Sequence, residues 1–311
     1  MCASKHFKTF PEHFRRLIPR LAKAMAPRPS VPSTVTRPKA AAASSSRYRA
    51  AAATMASSAP GGRRGAKYCV LVAGDPHPQV VEKHGDFAKR FELLLAEEGE
   101  RWDSFRIFDG EACPKNLEEY DALVVTGSKF DAWGDEEWIM CLIGELRRCH
   151  DRKQRVLGIC FGHQVLARSL GGKVERAARG WCLGANEVSL DLSPAPSRAR
   201  LASALGADAL PLRIHQIHQD EVTSLPPGAA SIASSPECDC EAFVLEDHVL
   251  AIQGHPEFDD GMVEDMLELK RSAGLDAAVA DEAFRQLRDK SIDEKTFQTW
   301  SRLCRAFLKT S

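Results

Sequence analysis

Short apolar runs alternate with segments of helical periodicity from residue 67 onward. The apolar runs predict strands at 68–72, 102–108, 122–126 and 156–157. Segments in which apolar residues recur every three or four positions predict helices at 80–98, 135–149 and 163–170. Because strands and helices follow one another at short spacing, we expect an α/β fold with a mostly parallel central sheet and helices on both faces.

The pattern changes after Gly171. Short β-prone runs separated by turn residues predict strands that form a smaller antiparallel extension, at 173–175, 184–190, 212–217, 231–233, 242–245 and 249–253. Beyond Phe258 the periodicity is helical again, at 261–271, 276–289 and 293–308. We therefore expect a catalytic domain over 67–260 and a C-terminal helical segment, 261–311, packed on that domain.

Residues 1–66 have a different composition from the rest of the chain. They are rich in Ala, Ser, Arg and Pro and contain one acid, Glu12, so they are too polar and too proline-broken to form a core. One interpretation is a disordered leader resembling an organellar transit peptide. The other is that Met55 is the true start. A transit peptide predicts a plastid or mitochondrial protein. A start at Met55 predicts a cytosolic protein, and we take the cytosol as the simpler expectation.

Charge and cysteine content limit the classes of partner and the compartment that we expect. Residues 1–66 carry a net charge of +12 and the remainder −13, so the part that looks folded is acidic and a nucleic-acid partner is not expected. No apolar run approaches the roughly 20 residues of a membrane span, so no membrane partner is expected either. The ten cysteines form no disulfide framework and favour a reducing compartment. Cys238 and Cys240 lack a second pair to complete a zinc site.

The stretch around Cys160 carries the clearest chemical signal. Cys160 lies between a predicted strand and a predicted helix and is bracketed by Gly158 and Gly162. Such a turn needs glycines because a Cβ would collide with the neighbouring strand or helix. Unpaired N–H groups at the start of the helix favour a thiolate, the reactive form of cysteine. The alternative is a cysteine packed as a small apolar residue, which we prefer for the other nine.

A cysteine nucleophile needs a base and a group that orients the base. His255 and Glu257 follow the predicted strand at 249–253, and residues two apart in an extended segment face the same side. His255 is therefore the predicted base, with Glu257 as its orienting carboxylate. The alternative is an ordinary surface turn. Three other histidines are alternative candidates for the base: His163, His215 and His218. Because Asp220 follows two positions later, His218 is a second candidate, weaker than His255.

Acyl transfer also needs N–H donors for the oxyanion. The N–H of Phe161, directly after the nucleophile, is one candidate. The turn Gly127-Ser128, which follows the predicted strand at 122–126, is the other, because glycine allows close approach of a substrate carbonyl. An ordinary strand-terminating turn is the alternative for this second position.

With these residues identified, the sequence resembles the class I glutamine amidotransferase family over about residues 68–260. Gly158-Ile159-Cys160-Phe161-Gly162-His163-Gln164 is similar to its nucleophile motif and Gly254-His255-Pro256-Glu257 to its second motif. The resemblance implies a flavodoxin-like sheet, a Cys160-His255-Glu257 triad, and a γ-glutamyl group held by Gln164 and the Gly127-Ser128 turn. It implies neither a metal nor an organic cofactor.

One segment departs from the ammonia-supplying members, which usually have Gly-Gly-Pro where this chain has Thr126-Gly127-Ser128-Lys129. In this it is similar to the plant γ-glutamyl peptidases, which implies cleavage of glutathione or its conjugates to glutamate and a Cys-Gly product. Lys129 leaves the preferred substrate open. The alternatives are a glutaminase subunit that feeds ammonia to a separate synthase and, third, an inactive scaffold. The sequence gives no signal for the oligomeric state.

Overall fold

A computed structural model describes residues 65–111, 113–192, 196–205 and 212–309. The predicted leader at 1–66 therefore lies outside the described residues except for its last two positions. The strands are β1 Lys67–Val72, β2 Arg101–Arg106, β3 Ala122–Val125, β4 Arg155–Ile159, β5 Lys173–Arg176, β6 Cys182–Leu190, β7 Leu212–His218, β8 Asp220–Ser224, β9 Ala230–Ser234, β10 Ala242–Leu245 and β11 Val249–Ile252.

Eight helices occur in the part of the chain that the structure describes: α1 Pro78–His84, α2 Phe87–Leu95, α3 Glu137–Asp151, α4 Phe161–Ser169, α5 Pro196–Leu205, α6 Asp260–Ser272, α7 Ala277–Asp289 and α8 Glu294–Leu308. Side chains cap several of them. The carboxylates of Asp86, Asp259 and Asp293 each accept a hydrogen bond from a backbone N–H in the first turn of α2, α6 and α8.

Within the described ranges, nine strands form the central sheet, in the order β2-β1-β3-β4-β11-β10-β9-β6-β7. The pairs from β2 to β11 are parallel and those from β11 to β7 are antiparallel. A separate antiparallel sheet joins β5 and β8. The predicted fold class is confirmed: the central sheet is mixed, with a parallel half that carries the βα alternation and an antiparallel half beyond it.

Helices cover both faces of the parallel half. In β1, Val70 and Val72 pack in one core cluster with residues of α2 and α8, whereas Cys69 and Leu71 pack in a second with residues of α3 and α4. Successive side chains of a strand point to opposite faces, so a strand buried on both sides is apolar at every position. This explains why the runs that predicted these strands are continuous rather than alternating.

The elements depart from the predictions in four places. The helix predicted over 80–98 is two helices, because Gly85 has φ of +83° and Asp86 then caps a new one. The strand predicted to end at 108 ends at Arg106, and a 3₁₀ turn, Ile107–Asp109, follows. The run at 173–175 lies in the separate two-stranded sheet rather than in an extension of the main one. Neither β8 nor α5 was predicted.

Three neighbouring strands bring the candidate site together. β4 lies between β3 and β11 and is parallel to both. The carboxyl ends of parallel strands meet at the same edge of a sheet, where ligands of open α/β sheets bind. The residues that follow these strands include Gly127, Cys160 and His255, so all three predicted positions reach the same edge.

Candidate functional site

The turn at Cys160 is sharp and closely packed. Cys160 has φ of +54°, in the region that L-residues rarely adopt. A Cβ added to Gly158 would lie 2.5 Å from the carbonyl oxygen of Gly162, and one added to Gly162 would collide with the carbonyl oxygen of Val125. The glycines thus provide the clearance that their spacing predicted, between strand, turn and helix.

Hydrogen bonds fix the cysteine backbone on both sides. The N–H of Cys160 donates to the carbonyl of Ile252 in β11 at 2.9 Å, and its carbonyl accepts from the N–H of Gln164 at 3.1 Å. Cys160 is buried but not sealed, with 6% of its surface exposed. The sulfur is therefore held at the end of β11, the strand that leads to His255.

His255 is held at three points. Its N–H donates to the carbonyl of His215 at 2.8 Å, which joins it to β7. Its Nδ1 lies 2.8 Å from Oε1 of Glu257. Its ring stacks on Phe258 with centroids 4.1 Å apart and planes only 6° from parallel. The carboxylate fixes Nδ1 as the protonated nitrogen, so Nε2 is left for proton transfer.

The electrostatic surroundings favour the charged imidazole. Burial alone lowers the pKa of His255, but the Glu257 carboxylate and then Cys160 outweigh it and raise that pKa to about 10. Nε2 is buried without a hydrogen bond of ordinary geometry. Cys160 therefore acts on the ring mainly through charge and proximity, and the arrangement favours the imidazolium form of His255.

Gly127 lies next to both reactive side chains, those of Cys160 and His255. A Cβ at this position would lie 2.9 Å from Cε1 of His255 and 3.6 Å from Cβ of Cys160. Any other residue would therefore push the imidazole away from the thiol. Among the described residues, the hydrogen bonds include none donated by the Gly127 N–H. The N–H of Phe161 lies in the first turn of α4, where the helix itself offers no acceptor.

Ser128 is engaged within the protein. Its hydroxyl donates to the carbonyl of Ala73 at 2.7 Å and accepts from the N–H of Phe130 at 3.1 Å. These bonds tie the turn after β3 to the residue after β1. Ser128 therefore shapes the turn that presents Gly127.

Gln164 lies beneath the site, 3% exposed. Its amide nitrogen donates to the carbonyl of Asp220 at 2.9 Å and to Oε1 of Gln253 at 3.1 Å. Any direct contact of Gln164 with a γ-glutamyl group would have to use its carbonyl oxygen. Its visible role is to join α4 to β8 and to the end of β11.

The competing histidines have other partners. His163 lies beside Oε1 of Gln253, and burial lowers its pKa to about 3. His215 Nε2 lies 2.8 Å from a carboxylate oxygen of Asp260. His218 Nδ1 lies 3.0 Å from the carbonyl of Asp220, and burial lowers the pKa of His218 to about 4. Burial favours the neutral form of His163 and His218, and His215 is engaged by Asp260. His255, in contrast, lies next to Gly127 and Cys160.

Two neighbours of the site and one charged residue of α6 were not predicted. Phe258 directly follows the His255-Pro256-Glu257 segment, a signal that could have been used. Arg90 is the one charge on the buried face of α2; its Nε donates to the Glu257 carbonyl at 2.8 Å and its guanidinium pairs with Asp259 at 3.1 Å. Lys270, whose ammonium lies 3.6 Å above the ring of Trp181, gave no signal because it fits the amphipathic pattern of α6.

The described residues contain no group of three or more His, Cys, Asp or Glu side chains placed to hold a metal ion. Cys238 and Cys240 are buried free thiols. In the same ranges, every helix is too short or too polar to cross a lipid bilayer.

Comparison with known proteins adds the following. The family model for class-I glutamine amidotransferases matches residues 104–269. Gamma-glutamyl peptidases 4 and 3 of Arabidopsis thaliana are 35% and 36% identical to this chain, covering 78% of it and 95% and 96% of their own lengths. The crystal structure of a glutamine amido transferase from Methylobacillus flagellatus shares the fold, with a TM-score of 0.62, 22% identity, and coverage of 79% of this chain and 94% of that one.

Proposed function

The chain belongs to the class I glutamine amidotransferase family, and we propose that it is a stand-alone cysteine hydrolase acting on γ-glutamyl amide bonds. Its substrate is glutathione or a glutathione conjugate, and its products are glutamate and a Cys-Gly peptide. The relatives named gamma-glutamyl peptidases support a γ-glutamyl peptide as the class of substrate. The observation that carries the proposal is the position of Gly127, in contact range of both Cys160 and His255.

In the first half-reaction the Cys160 thiolate attacks the γ-carbonyl carbon, and the Cys160 proton resides on Nε2 of His255. The N–H groups of Gly127 and Phe161 stabilise the oxyanion. The imidazolium then protonates the leaving amine, the C–N bond breaks, and a γ-glutamyl thioester remains on Cys160. Each step uses a group already at the sheet edge.

In the second half-reaction water replaces the leaving amine. Neutral His255 takes a proton from that water, the hydroxide attacks the thioester, and the Cys160 sulfur leaves as a thiolate. Glu257 keeps the ring in one tautomer and stabilises the imidazolium in both halves. The net reaction consumes one water per γ-glutamyl bond.

Purified protein incubated separately with glutathione and with glutamine tests the proposal. We expect Cys-Gly and glutamate to be released from glutathione without a partner protein. Ammonia release from glutamine that depends on an added synthase, with no release from glutathione, would instead favour the glutaminase subunit. Acid-quenched enzyme analysed by peptide mass spectrometry should carry the γ-glutamyl group on Cys160.

The Cys160→Ala variant should lose activity by about 10³-fold or more. Cys141→Ala is the matched control, because Cys141 is exposed on α3, away from the described site, and it should retain wild-type activity. Equal activity of wild type and Cys160→Ala would support the inactive-scaffold interpretation and contradict the proposal.

A further inference from the structure

The Glu257 carboxylate contacts the His255 ring through one of its two oxygens. Oε1 lies 2.8 Å from Nδ1 of His255. Oε2 is buried and, among the described residues, accepts no hydrogen bond of ordinary geometry. Because the carboxylate has so few contacts of its own, its position depends on the backbone that carries it. Whatever fixes the backbone at Glu257 therefore also fixes the contact with His255.

Arg90 of α2 holds that backbone. Its Nε donates a hydrogen bond to the carbonyl of Glu257 at 2.8 Å. A second nitrogen of the same guanidinium lies 3.1 Å from Oδ2 of Asp259. The guanidinium is planar and rigid, so two acceptors that bind it are held in a fixed relative geometry. Arg90 thus fixes the first and the last residue of the segment 257–259.

Asp259 is itself anchored. Its other oxygen, Oδ1, accepts a hydrogen bond from the N–H of Met262 at 2.8 Å and caps α6. Arg90 and Asp259 are both buried, and a buried ion pair is screened much less than one at the surface. The ion pair therefore ties α2 to the start of α6, and the segment 257–259 is held from both helices.

The same helix also supports the face of the His255 ring. Phe258, between the two residues that Arg90 contacts, stacks on the imidazole with centroids 4.1 Å apart. Phe87 of α2 stacks in turn on Phe258, with centroids 5.9 Å apart. Residues three apart on a helix lie on the same face. Phe87 and Arg90 therefore reach this segment together, from one face of α2.

Stability does not by itself call for an arginine on this face of α2. The other buried residues of the helix are apolar: Phe87, Phe91, Leu94 and Leu95. Replacing a buried ion pair with apolar side chains of similar volume is often neutral or stabilising, because charges no longer have to be removed from water. An apolar residue at position 90 could fill the space but could not donate to the Glu257 carbonyl.

We propose, resting on the proposed function, that Arg90 is a positioning residue for the hydrolysis and holds the backbone of Glu257 so that its carboxylate meets Nδ1 of His255. Arg90 acts through Glu257 and not on the substrate. Loss of Arg90 should therefore lower kcat and leave KM nearly unchanged, because the alignment of the imidazole matters in the chemical step.

Steady-state kinetics of Cys-Gly release from glutathione test the proposal. We expect Arg90→Met to lower kcat by about 10–100-fold and to change KM by less than about twofold. Arg90→Lys keeps the charge and can donate to the Glu257 carbonyl, so it should recover part of kcat. Lys89→Met is the matched control and should match wild type, because Lys89 is an exposed cation of the same helix that pairs with Glu92.

A double-mutant cycle shows whether Arg90 acts through Glu257. In the Glu257→Ala background no carboxylate remains to be positioned, so adding Arg90→Met should lower kcat further by less than about twofold. A further loss as large as that in the wild-type background would overturn the inference, because Arg90 would then act independently of Glu257.

Titration of the His255 ring by NMR needs no turnover. Burial lowers the pKa of His255 and the Glu257 carboxylate raises it, so displacing the carboxylate in Arg90→Met should lower that pKa, whereas Lys89→Met should not. The inference is overturned if Arg90→Met keeps the wild-type kcat or His255 pKa and changes only the urea midpoint.

Should Arg90→Met not fold, Arg90→Lys answers the same question. Its kcat and its His255 pKa should both lie below those of wild type, and wild-type values for both would overturn the inference. A lowered His255 pKa in the Arg90 variants, together with no Cys-Gly release by the wild-type protein, would contradict the proposed function and leave the positioning role of Arg90 standing.

Discussion

Cys160 holds a backbone conformation that costs a non-glycine residue on the order of 1–3 kcal/mol. Lys153 and Glu246 also have positive φ, but they lie in exposed turns and pair with each other at 2.8 Å. Strain alone therefore does not distinguish the nucleophile. What distinguishes Cys160 is strain at a buried turn that hydrogen bonds fix from β11 and α4, next to His255.

Glu257→Gln should lower the pKa of His255. The Glu257 carboxylate is the strongest of the groups that raise that pKa to about 10, and the amide keeps the shape while removing the charge. Titration of the His255 ring by NMR in wild type and variant measures the change. Glu264→Gln, on the exposed side of α6, is the control and should leave the His255 pKa where it is.

Glu257→Gln should also change how the free energy of unfolding depends on pH. The pKa of His255 is raised on folding from 6.5 to about 10, so its stabilising contribution is fully present below about pH 6.5 and is lost as pH rises through 10. The difference in free energy of unfolding between wild type and Glu257→Gln should shrink across that window. A constant difference would mean that Glu257 does not hold the proton on His255.

At the scale of single residues, the sequence predicted those candidate site residues that local spacing makes recognisable. Cys160 with its glycines, and His255 with Glu257 two residues on, are recognisable because each group lies within a few positions of its neighbours. Arg90 reaches the site from α2 through tertiary packing, and Lys270 of α6 lies above the ring of Trp181. No local pattern distinguishes either of them from an ordinary residue of an amphipathic helix.

At the scale of elements, the contact of α4 with β3 can be tested through its glycine. Gly162→Ala places a methyl group against the carbonyl oxygen of Val125. Because both belong to rigid elements, we expect the variant to lose about 1–3 kcal/mol in free energy of unfolding, measured by urea denaturation.

Gly144→Ala is the matched control for that experiment. Gly144 lies within α3, and a Cβ there would meet nothing within 4 Å. Replacing a helical glycine with alanine reduces the backbone entropy of the unfolded chain, so this variant should gain about 0.5–1 kcal/mol. If the two variants change stability in the same direction, the close contact of Gly162 with Val125 is not what requires glycine.

Where predicted and observed elements differ, the difference comes from strand pairing or from a single backbone angle. The break between α1 and α2 depends on the positive φ of Gly85, and periodicity continues across it. β8 is short and, among the described strands, pairs only with β5, so its existence depends on a partner more than 40 residues away. Helix and strand patterns in one sequence do not contain that information.

At the scale of the whole molecule, chain order and spatial order agree only in part. The parallel half follows from the βα alternation, but β11 returns to lie beside β4 and β6 lies between β9 and β7. The return of β11 brings His255 beside Cys160 although 95 residues separate them in sequence. The apolar runs predicted that these strands exist, but they did not predict the order of the strands in the sheet.

The last helix, α8, is part of the main core. Phe297, Trp300 and Leu303 lie in the same buried cluster as Val70 of β1 and Leu157 of β4. Residues 65–309 therefore should unfold in one cooperative transition, with α8 contributing to the stability of the sheet that carries the site.

Trp300→Ala tests this directly. Trp300 is 3% exposed, and its indole N–H donates to the carbonyl of Arg213 in β7 at 2.7 Å. The substitution opens a cavity and leaves that carbonyl unpaired, so we expect a loss of about 3–5 kcal/mol. Exposed Lys295→Ala on the same helix should change the free energy of unfolding by less than about 0.5 kcal/mol. Circular dichroism and the fluorescence of the remaining tryptophans should report one shared, shifted urea midpoint. A separate early transition for α8 would show instead that it folds independently of the sheet.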